Sequence, residues 1–153
     1  MNTIDTLKHF KLRNTKIRVA VLEALTESSW AVSYGSLQRM LSQFDLTTLY
    51  RTLLVFNEKG LIHKAYEENG DSYYARCFGC SVSAHSHEHL HLKCSSCGGV
   101  ECIEISDQLK SSLSQLPFQE INISAKGACS ECLSAWGLKR LSAWSFLHYS
   151  WAS

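Results

Sequence analysis

The chain has 153 residues, of which 45% are hydrophobic and 19% charged, and its formal net charge is +1. This length and composition are typical of a soluble globular protein with one domain or two small ones. Its apolar runs are far shorter than the roughly 18 residues that span a bilayer, and residues 1–10 lack the pattern of a secretion signal. We therefore expect a cytoplasmic protein with no membrane partner.

The N-terminal part of the chain predicts helices. Apolar residues recur at helical spacing over residues 12–25, after a cap at Asn14 or Thr15, and indicate an amphipathic helix. Ser33 is the predicted cap of a second, shorter helix that runs to Phe44. We expect each helix to bury its apolar side.

A third helix is expected over residues 47–56, with Gly60 ending it. Leu49, Leu53 and Phe56 share one face of this helix, and we expect them to be buried. The remaining side chains of interest are expected to be partly exposed: Thr48, Tyr50, Arg51 and Thr52.

Two extended segments follow, over residues 61–67 and 72–77, and Asn69-Gly70 between them is a strong turn signal. Three helices followed by a β-hairpin predict a winged helix-turn-helix domain over residues 1–77. Residues 78–86 are rich in Gly, Ser, Cys and Ala and lack periodicity, which indicates a hinge between two domains.

Residues 87–132 predict a small α/β domain, so the whole chain is expected to be α+β. Its elements are strands over 89–93 and 100–105, a helix over 107–116 and a further strand over 118–125. So short a sheet has an exposed edge and a small core. Pairing with a second copy corrects both defects, and we therefore expect a homodimer. Residues 133–153 form an aromatic tail to which the sequence assigns no role.

Four cysteines form two Cys-x-x-Cys pairs, Cys94/Cys97 and Cys129/Cys132, on either side of the predicted helix. Four thiolates at this spacing can surround one zinc ion as a tetrahedron. Buried apolar thiols or disulfides are the alternatives, but two such pairs beside a group of histidines favour a metal in a reducing compartment. We predict a structural zinc whose binding stabilises the second domain.

Three histidines precede the first cysteine pair. His87, His89 and His91 alternate with other residues, so on an extended strand their imidazoles project from one face. Imidazole is largely neutral at cytosolic pH and is a common metal ligand. We therefore expect a second, more exchangeable metal site close to the first.

Five motifs occur together in this chain: Leu12-Arg13-x-Thr15-x-x-Arg18, Thr48-Leu49-Tyr50-Arg51-Thr52-Leu53, Gly60-Leu61-Ile62, the histidine-rich strand leading into Cys94-x-x-Cys97-Gly98, and Gly127-x-Cys129-x-x-Cys132. In this combination the chain resembles the ferric uptake regulator family of bacterial metal-responsive transcription factors. The resemblance implies an N-terminal domain that binds operator DNA and a C-terminal domain that dimerises. It also implies a regulatory metal at the hinge that sets the angle between them.

The resemblance further implies the ligands of the regulatory metal. His89 and His91 match the sensing histidines before the first structural cysteine, and Cys77 matches the cysteine ligand of zinc-sensing members. His63 is the expected fourth ligand, because it lies across the hairpin from the strand that ends in Cys77. A thiolate with imidazoles favours Zn²⁺, with Fe²⁺ as the alternative. His87, Glu101 and Glu104 could form an additional metal site with more oxygen ligands.

The winged-helix arrangement implies a DNA-binding surface. The third helix enters the major groove, where Tyr50 can contact a thymine methyl and Arg51 a phosphate or a guanine edge. Arg13 resembles the basic residue that reaches an A·T-rich minor groove in the family. Four more residues of the helical motifs complete the predicted surface: Thr15, Arg18, Thr48 and Thr52.

We therefore expect a dimeric repressor of metal-uptake genes that binds double-stranded operator DNA when its regulatory site holds zinc. An iron-responsive or peroxide-responsive member of the same family is the nearest alternative, and a zinc storage or chaperone protein is a more distant one. An enzyme is not expected, because the sequence has no helical His-Glu-x-x-His motif and no nucleophile motif.

Overall fold

The computed structural model describes residues 2–76, 89–117 and 121–135. Cys77, His87 and the predicted hinge over 78–86 lie outside the described residues, and so do residues 136–153 of the predicted tail. Within the described ranges, no helix is long and apolar enough to cross a membrane.

Four helices precede the hairpin: α1 (Thr3–His9), α2 (Lys16–Glu27), α3 (Tyr34–Met40) and α4 (Leu46–Glu58). The side chain of Ser33 caps α3 and that of Asp45 caps α4, each accepting a hydrogen bond from a backbone N–H of the first turn. The predicted cap at Ser33 and the predicted third helix are confirmed. The prediction that the second helix runs to Phe44 is wrong, because the chain leaves the helix at Leu41 and Asp45 begins the next one. Helix α1 is an addition to the predicted elements.

Apolar faces of these helices form the core of the N-terminal part. Its fully buried members include Leu7, Val21, Leu22, Leu37, Leu49, Leu53, Phe56 and Ile62. Burial of side chains of this size contributes roughly 1.5 to 3 kcal/mol each. Tertiary packing therefore stabilises these short helices more than their intrinsic propensity does.

Thr52 lies on the buried face of α4, and the prediction that it is partly exposed is wrong. Its side chain is only 5% exposed, and its hydroxyl donates a hydrogen bond to the carbonyl of Thr48 at 2.8 Å. Thr52 follows Leu49 by three residues and precedes Phe56 by four, which is the spacing of one helix face. The hydroxyl hydrogen is therefore engaged inside the helix, and the predicted contact of Thr52 with DNA stays a prediction.

The wing is a β-hairpin of β2 (Ile62–Glu68) and β3 (Asp71–Arg76). Its turn is made by Asn69 and Gly70, whose φ angles are 53° and 80°. Positive φ at both central residues is typical of the type I′ turn, which matches the twist of two antiparallel strands. A two-residue strand, β1 (Val32–Ser33), pairs with β3, so the strand order is β1-β3-β2. The predicted winged helix-turn-helix is confirmed.

The second sheet contains β4 (His89–Cys94), β5 (Val100–Glu104) and β6 (Ile123–Gly127) in the order β5-β4-β6. β4 and β5 are antiparallel and are joined through the first cysteine pair, whereas β6 runs parallel to β4 after α5 (Asp107–Ser114). The α+β class is therefore confirmed. The last strand lies later in the chain than the predicted 118–125, and residues 118–120 are outside the described residues.

The wing and the second sheet are in contact. Four small side chains form a buried cluster between them: Ala31, Ala65, Ala75 and Val100. The backbone N–H of Ala31 donates a hydrogen bond to the carbonyl of Val100 at 2.9 Å. Because these side chains are small, the two sheets approach closely, and residues of β2 can reach residues of β4.

Candidate metal centres and nucleic-acid interface

The two cysteine pairs come together at one end of the second sheet and form a four-cysteine cluster of Cys94, Cys97, Cys129 and Cys132. Cys94 ends β4, and Cys129 follows β6 by two residues. The four sulfur atoms lie within 4.8 Å of one another, and Cys97 Sγ is 3.9 Å from Cys129 Sγ. Tetrahedral zinc with Zn–S bonds of about 2.3 Å places its sulfurs about 3.8 Å apart. The four-cysteine cluster therefore has the spacing that a structural zinc requires.

The electrostatics of the four-cysteine cluster also suit a cation. The backbone N–H groups of Cys97 and Cys129 donate to Cys94 Sγ at 3.5 Å and 3.4 Å, and they lower the pKa of the Cys94 thiol to about 5. The side chain of Cys129, together with burial, raises the pKa of Cys132 to about 12. Cys94 therefore ionises readily, whereas Cys132 resists ionisation because other cysteine sulfurs lie beside it. A bound divalent cation removes this repulsion and lets all four sulfurs ionise.

A second group of ligand atoms joins the wing to the second sheet, and we call it the wing cluster: His63, His89, His91 and Cys102. His63 Nε2, on β2, lies 3.0 Å from His91 Nε2 and 3.0 Å from His89 Nε2, both on β4. Cys102 Sγ, on β5, lies 3.7 Å from His63 Nε2. Around tetrahedral zinc, nitrogen ligands lie about 3.3 Å apart, and a nitrogen and a sulfur about 3.5 Å apart. The four atoms of the wing cluster therefore converge as ligands of one zinc ion would.

The structure brings together three of the four residues predicted for the regulatory site: His63, His89 and His91. The fourth, Cys77, lies outside the described residues. Cys102 was missed by sequence reasoning, although it stands opposite His91 in the β4–β5 pairing. Cys102 is exposed at the edge of the cavity, but the protein around its sulfur desolvates the thiol and raises its pKa to about 11, and the carboxylate of Glu101 adds to the shift. Without a metal this sulfur therefore carries its proton.

Two members of the predicted additional site, Glu101 and Glu104, lie on β5. Glu104 pairs with His89 across β4 and β5 and lines the cavity beside the wing cluster. Glu101 pairs with Leu92 and, three residues from Glu104 on one strand, faces the other side of the sheet. The two carboxylates therefore lie on opposite faces of the sheet, and His87 lies outside the described residues, so the additional site stays a prediction.

Most of the residues predicted to bind DNA line one surface depression between the start of α2 and α4. They are Arg13, Thr15, Arg18, Thr48 and Arg51, beside the buried Thr52. The Arg18 guanidinium donates to the carbonyl of Arg13 at 3.3 Å, which holds two cations at the same edge. Tyr50 lies outside the depression with 49% of its surface exposed, and its ring meets that of Tyr34 edge-on at 6.3 Å. The depression is thus a basic surface rimmed by hydroxyl groups, with one exposed aromatic ring beside it.

Known proteins are similar to this chain over the helices and strands described above. The sequence model of the ferric uptake regulator family matches residues 9–126, which include the winged helix-turn-helix and nearly all of the second sheet. The chain belongs to the ferric uptake regulator family. The zinc uptake regulation protein of Mycobacterium tuberculosis is similar to it, with 31% identity over 134 residues that cover 80% of this chain and 96% of that protein.

Solved structures have the same fold. A zinc uptake regulator complexed with zinc and DNA matches with a TM-score of 0.63 and 23% identity, over 87% of this chain and 91% of that chain. The crystal structure of the ferric uptake regulator of Vibrio cholerae matches with a TM-score of 0.58 and 25% identity, over 82% of this chain and 98% of that chain. This chain therefore spans almost the whole of both proteins.

Proposed function

We propose that this protein is a zinc-responsive transcriptional regulator that binds operator DNA as a homodimer in the cytoplasm and represses metal-uptake genes. The observation that carries the proposal is the convergence of His63, from the wing, with His89 and His91, from the second sheet. A metal held by these residues is bound by both units at once. Family membership and the similarity to a zinc uptake regulation protein support the same function. The proposed role is regulatory, not enzymatic.

Metal binding acts on DNA affinity through the arrangement of the two units. In the proposed division, residues 1–77 bind DNA, residues 78–86 form a hinge, and residues 87–132 bind metal and dimerise. Two α4 helices of a dimer can enter successive major grooves only at one spacing. A metal that joins each wing to its second sheet favours that spacing. DNA then binds a protein that already has the correct arrangement, and its affinity is higher than for a protein that samples many arrangements.

The proposed ligands divide into two sets. Cys94, Cys97, Cys129 and Cys132 hold a structural zinc. His63, His89 and His91 hold the regulatory metal together with one cysteine sulfur, for which both Cys102 and Cys77 are candidates. A thiolate among imidazoles favours Zn²⁺ over Fe²⁺, which is more often bound by imidazoles and carboxylates.

The proposed DNA contacts come from the basic depression and from the exposed ring beside it. Arg51 and Thr48 on α4, with Tyr50, are assigned to the major groove and its phosphates. Arg13, Thr15 and Arg18 are assigned to the flanking backbone and the minor groove. Because three of these six residues are arginines that replace counterions on the phosphates, affinity is expected to fall steeply with salt concentration.

DNA binding measured against metal tests the proposal. The probe is a fluorescein-labelled duplex obtained by in vitro selection on the zinc-treated protein, and the assay is fluorescence anisotropy. Adding Zn²⁺ to protein that keeps its structural zinc should raise DNA affinity roughly 10- to 100-fold, the usual range of coupling between sites. A response to Fe²⁺ alone identifies an iron sensor, and loss of binding after peroxide treatment of the iron form identifies a peroxide sensor. Zinc binding without any selected duplex would leave storage or transport of zinc as the function.

A further inference from the structure

One face of β4 carries three residues that contact the wing. His89, His91 and Lys93 are spaced by two, so their side chains lie on the same side of the strand. The two histidines belong to the wing cluster and act when a metal is bound. Lys93 is not a member of that cluster, and its ammonium donates instead to Tyr73 and Gly98.

Lys93 is buried, which is unusual for a lysine. Its side chain is only 9% exposed, and its ammonium donates to the hydroxyl of Tyr73 on β3 at 2.8 Å. The same ammonium lies 4.1 Å from the centroid of the Tyr73 ring and 5.7 Å from that of Tyr66. Both tyrosines belong to the wing. A buried ammonium is costly unless it is hydrogen-bonded, so these contacts fix where the wing lies against β4.

The other partner of Lys93 lies in the turn that holds the structural cysteines. Its ammonium also donates to the carbonyl of Gly98 at 2.7 Å, and Gly98 directly follows Cys97. The N–H of Gly98 in turn donates to the carbonyl of Cys94 at 3.0 Å. The lysine is therefore held from one side by the cysteine turn and makes its wing contact on the other side.

We propose that Lys93 is a positioning residue for the regulatory metal, because its contact with Tyr73 holds the wing against β4 and so keeps His63 within reach of His89 and His91 before metal binds. The wing cluster needs ligands from both the wing and β4. If the wing lies away from β4, part of the free energy of metal binding is used to bring the two together, and metal affinity falls. Lys93 thus raises zinc affinity without touching zinc. This inference rests on the regulatory role proposed for the wing cluster.

The test is the zinc affinity of the wing cluster, measured on the full-length protein by competition with a chromogenic chelator. Tyr73→Phe removes only the hydroxyl that accepts from Lys93, and Lys93→Met removes the ammonium but keeps a side chain of similar length. Each should weaken zinc binding at the cluster about tenfold, since a hydrogen bond to a charged group is lost. The double variant should be no weaker than Lys93→Met alone, because Lys93→Met already removes the hydrogen bond that Tyr73→Phe removes.

Lys126→Met is the matched control. Lys126 also reaches the wing, through a 2.6 Å ion pair with Glu68, but the Lys126 side chain is 61% exposed to solvent and that of Glu68 is 33% exposed. Exposed pairs contribute little, so zinc affinity should change less than about twofold. The inference is overturned if Tyr73→Phe keeps its fold, measured by circular dichroism, and binds zinc at the wing cluster as the natural protein does. It is also overturned if the variant loses its structural zinc, because the contact then supports the cysteine turn itself. Neither result depends on DNA binding, so the regulatory function is tested separately.

Discussion

Replacing Cys102 by serine identifies the sulfur that completes the regulatory site. Cys102 Sγ lies 3.7 Å from His63 Nε2, within the range of two ligands on one zinc ion. Structural zinc sites of four ligands bind with roughly 10 to 16 kcal/mol, so on that scale each ligand accounts for about 2.5 to 4 kcal/mol. A water molecule or the serine hydroxyl recovers part of that loss. We therefore expect Cys102→Ser to lower the zinc affinity of the wing cluster about 100-fold.

Cys77→Ser makes the same chemical change at the other candidate cysteine and is the matched comparison. Both variants are titrated with Zn²⁺ against a chelator, after elemental analysis has established that each keeps its structural zinc. If Cys102 is the ligand, Cys77→Ser binds zinc within a few-fold of the natural protein. The reasoning from geometry is refuted if Cys102→Ser binds zinc normally while Cys77→Ser does not, because Cys102 then only lines the cavity.

Three further substitutions test other parts of the structure. Cys97→Ser should abolish structural zinc binding and unfold the second domain, since such zinc contributes roughly 10 to 16 kcal/mol. Elemental analysis measures the zinc content and circular dichroism the fold. A variant that is folded without zinc would contradict the assignment. Arg51→Ala should weaken DNA binding and lower the salt dependence by about one phosphate contact, seen in the slope of log affinity against log salt. Gly70→Ala should lower the melting temperature, because φ of 80° costs a residue with a Cβ about 1 kcal/mol; an unchanged melting temperature would contradict this.

Residues whose chemistry depends on fixed local spacing could be predicted from the sequence. Two cysteines three apart can share one metal in almost any backbone, so the four-cysteine cluster followed from the spacing of its pairs. Asn69-Gly70 specifies a two-residue turn that pairs β2 with β3, and a bulge between Lys64 and Tyr66 then shifts the register so that His63 pairs with Ala75. His63 could therefore be placed near the strand that leads towards the second domain.

Cys102 could not be found in the same way, because its position depends on a register between two strands. The length of the turn from Cys94 to Gly99 sets the register of β4 and β5, in which His91 is opposite Cys102. Hydrophobic periodicity predicts each strand separately but does not predict which residues of the two strands are paired. Counting residues outward from that turn along both strands would have placed Cys102 opposite His91. The same count would have shown that Glu101 and Glu104 lie on opposite faces.

Thr52 shows a different limit of sequence reasoning. A threonine in a motif beside Tyr50 and Arg51 suggests a polar contact, yet its helical spacing from Leu49 and Phe56 places it among buried residues. Its hydroxyl is satisfied by the carbonyl of Thr48, so burial has little cost. Spacing was the more reliable guide here than residue type.

The central claim is that one metal ion, bound by wing and second sheet together, changes DNA affinity. Linkage requires the coupling to be reciprocal, so DNA must tighten zinc binding by the same factor by which zinc tightens DNA binding. The most direct measurement is the zinc affinity of the regulatory site with and without saturating selected duplex, in the natural protein and in His63→Ala. We predict equal factors of roughly 10 to 100 in the natural protein and a factor near one in His63→Ala. Zinc affinity that DNA leaves unchanged in the natural protein would contradict the account.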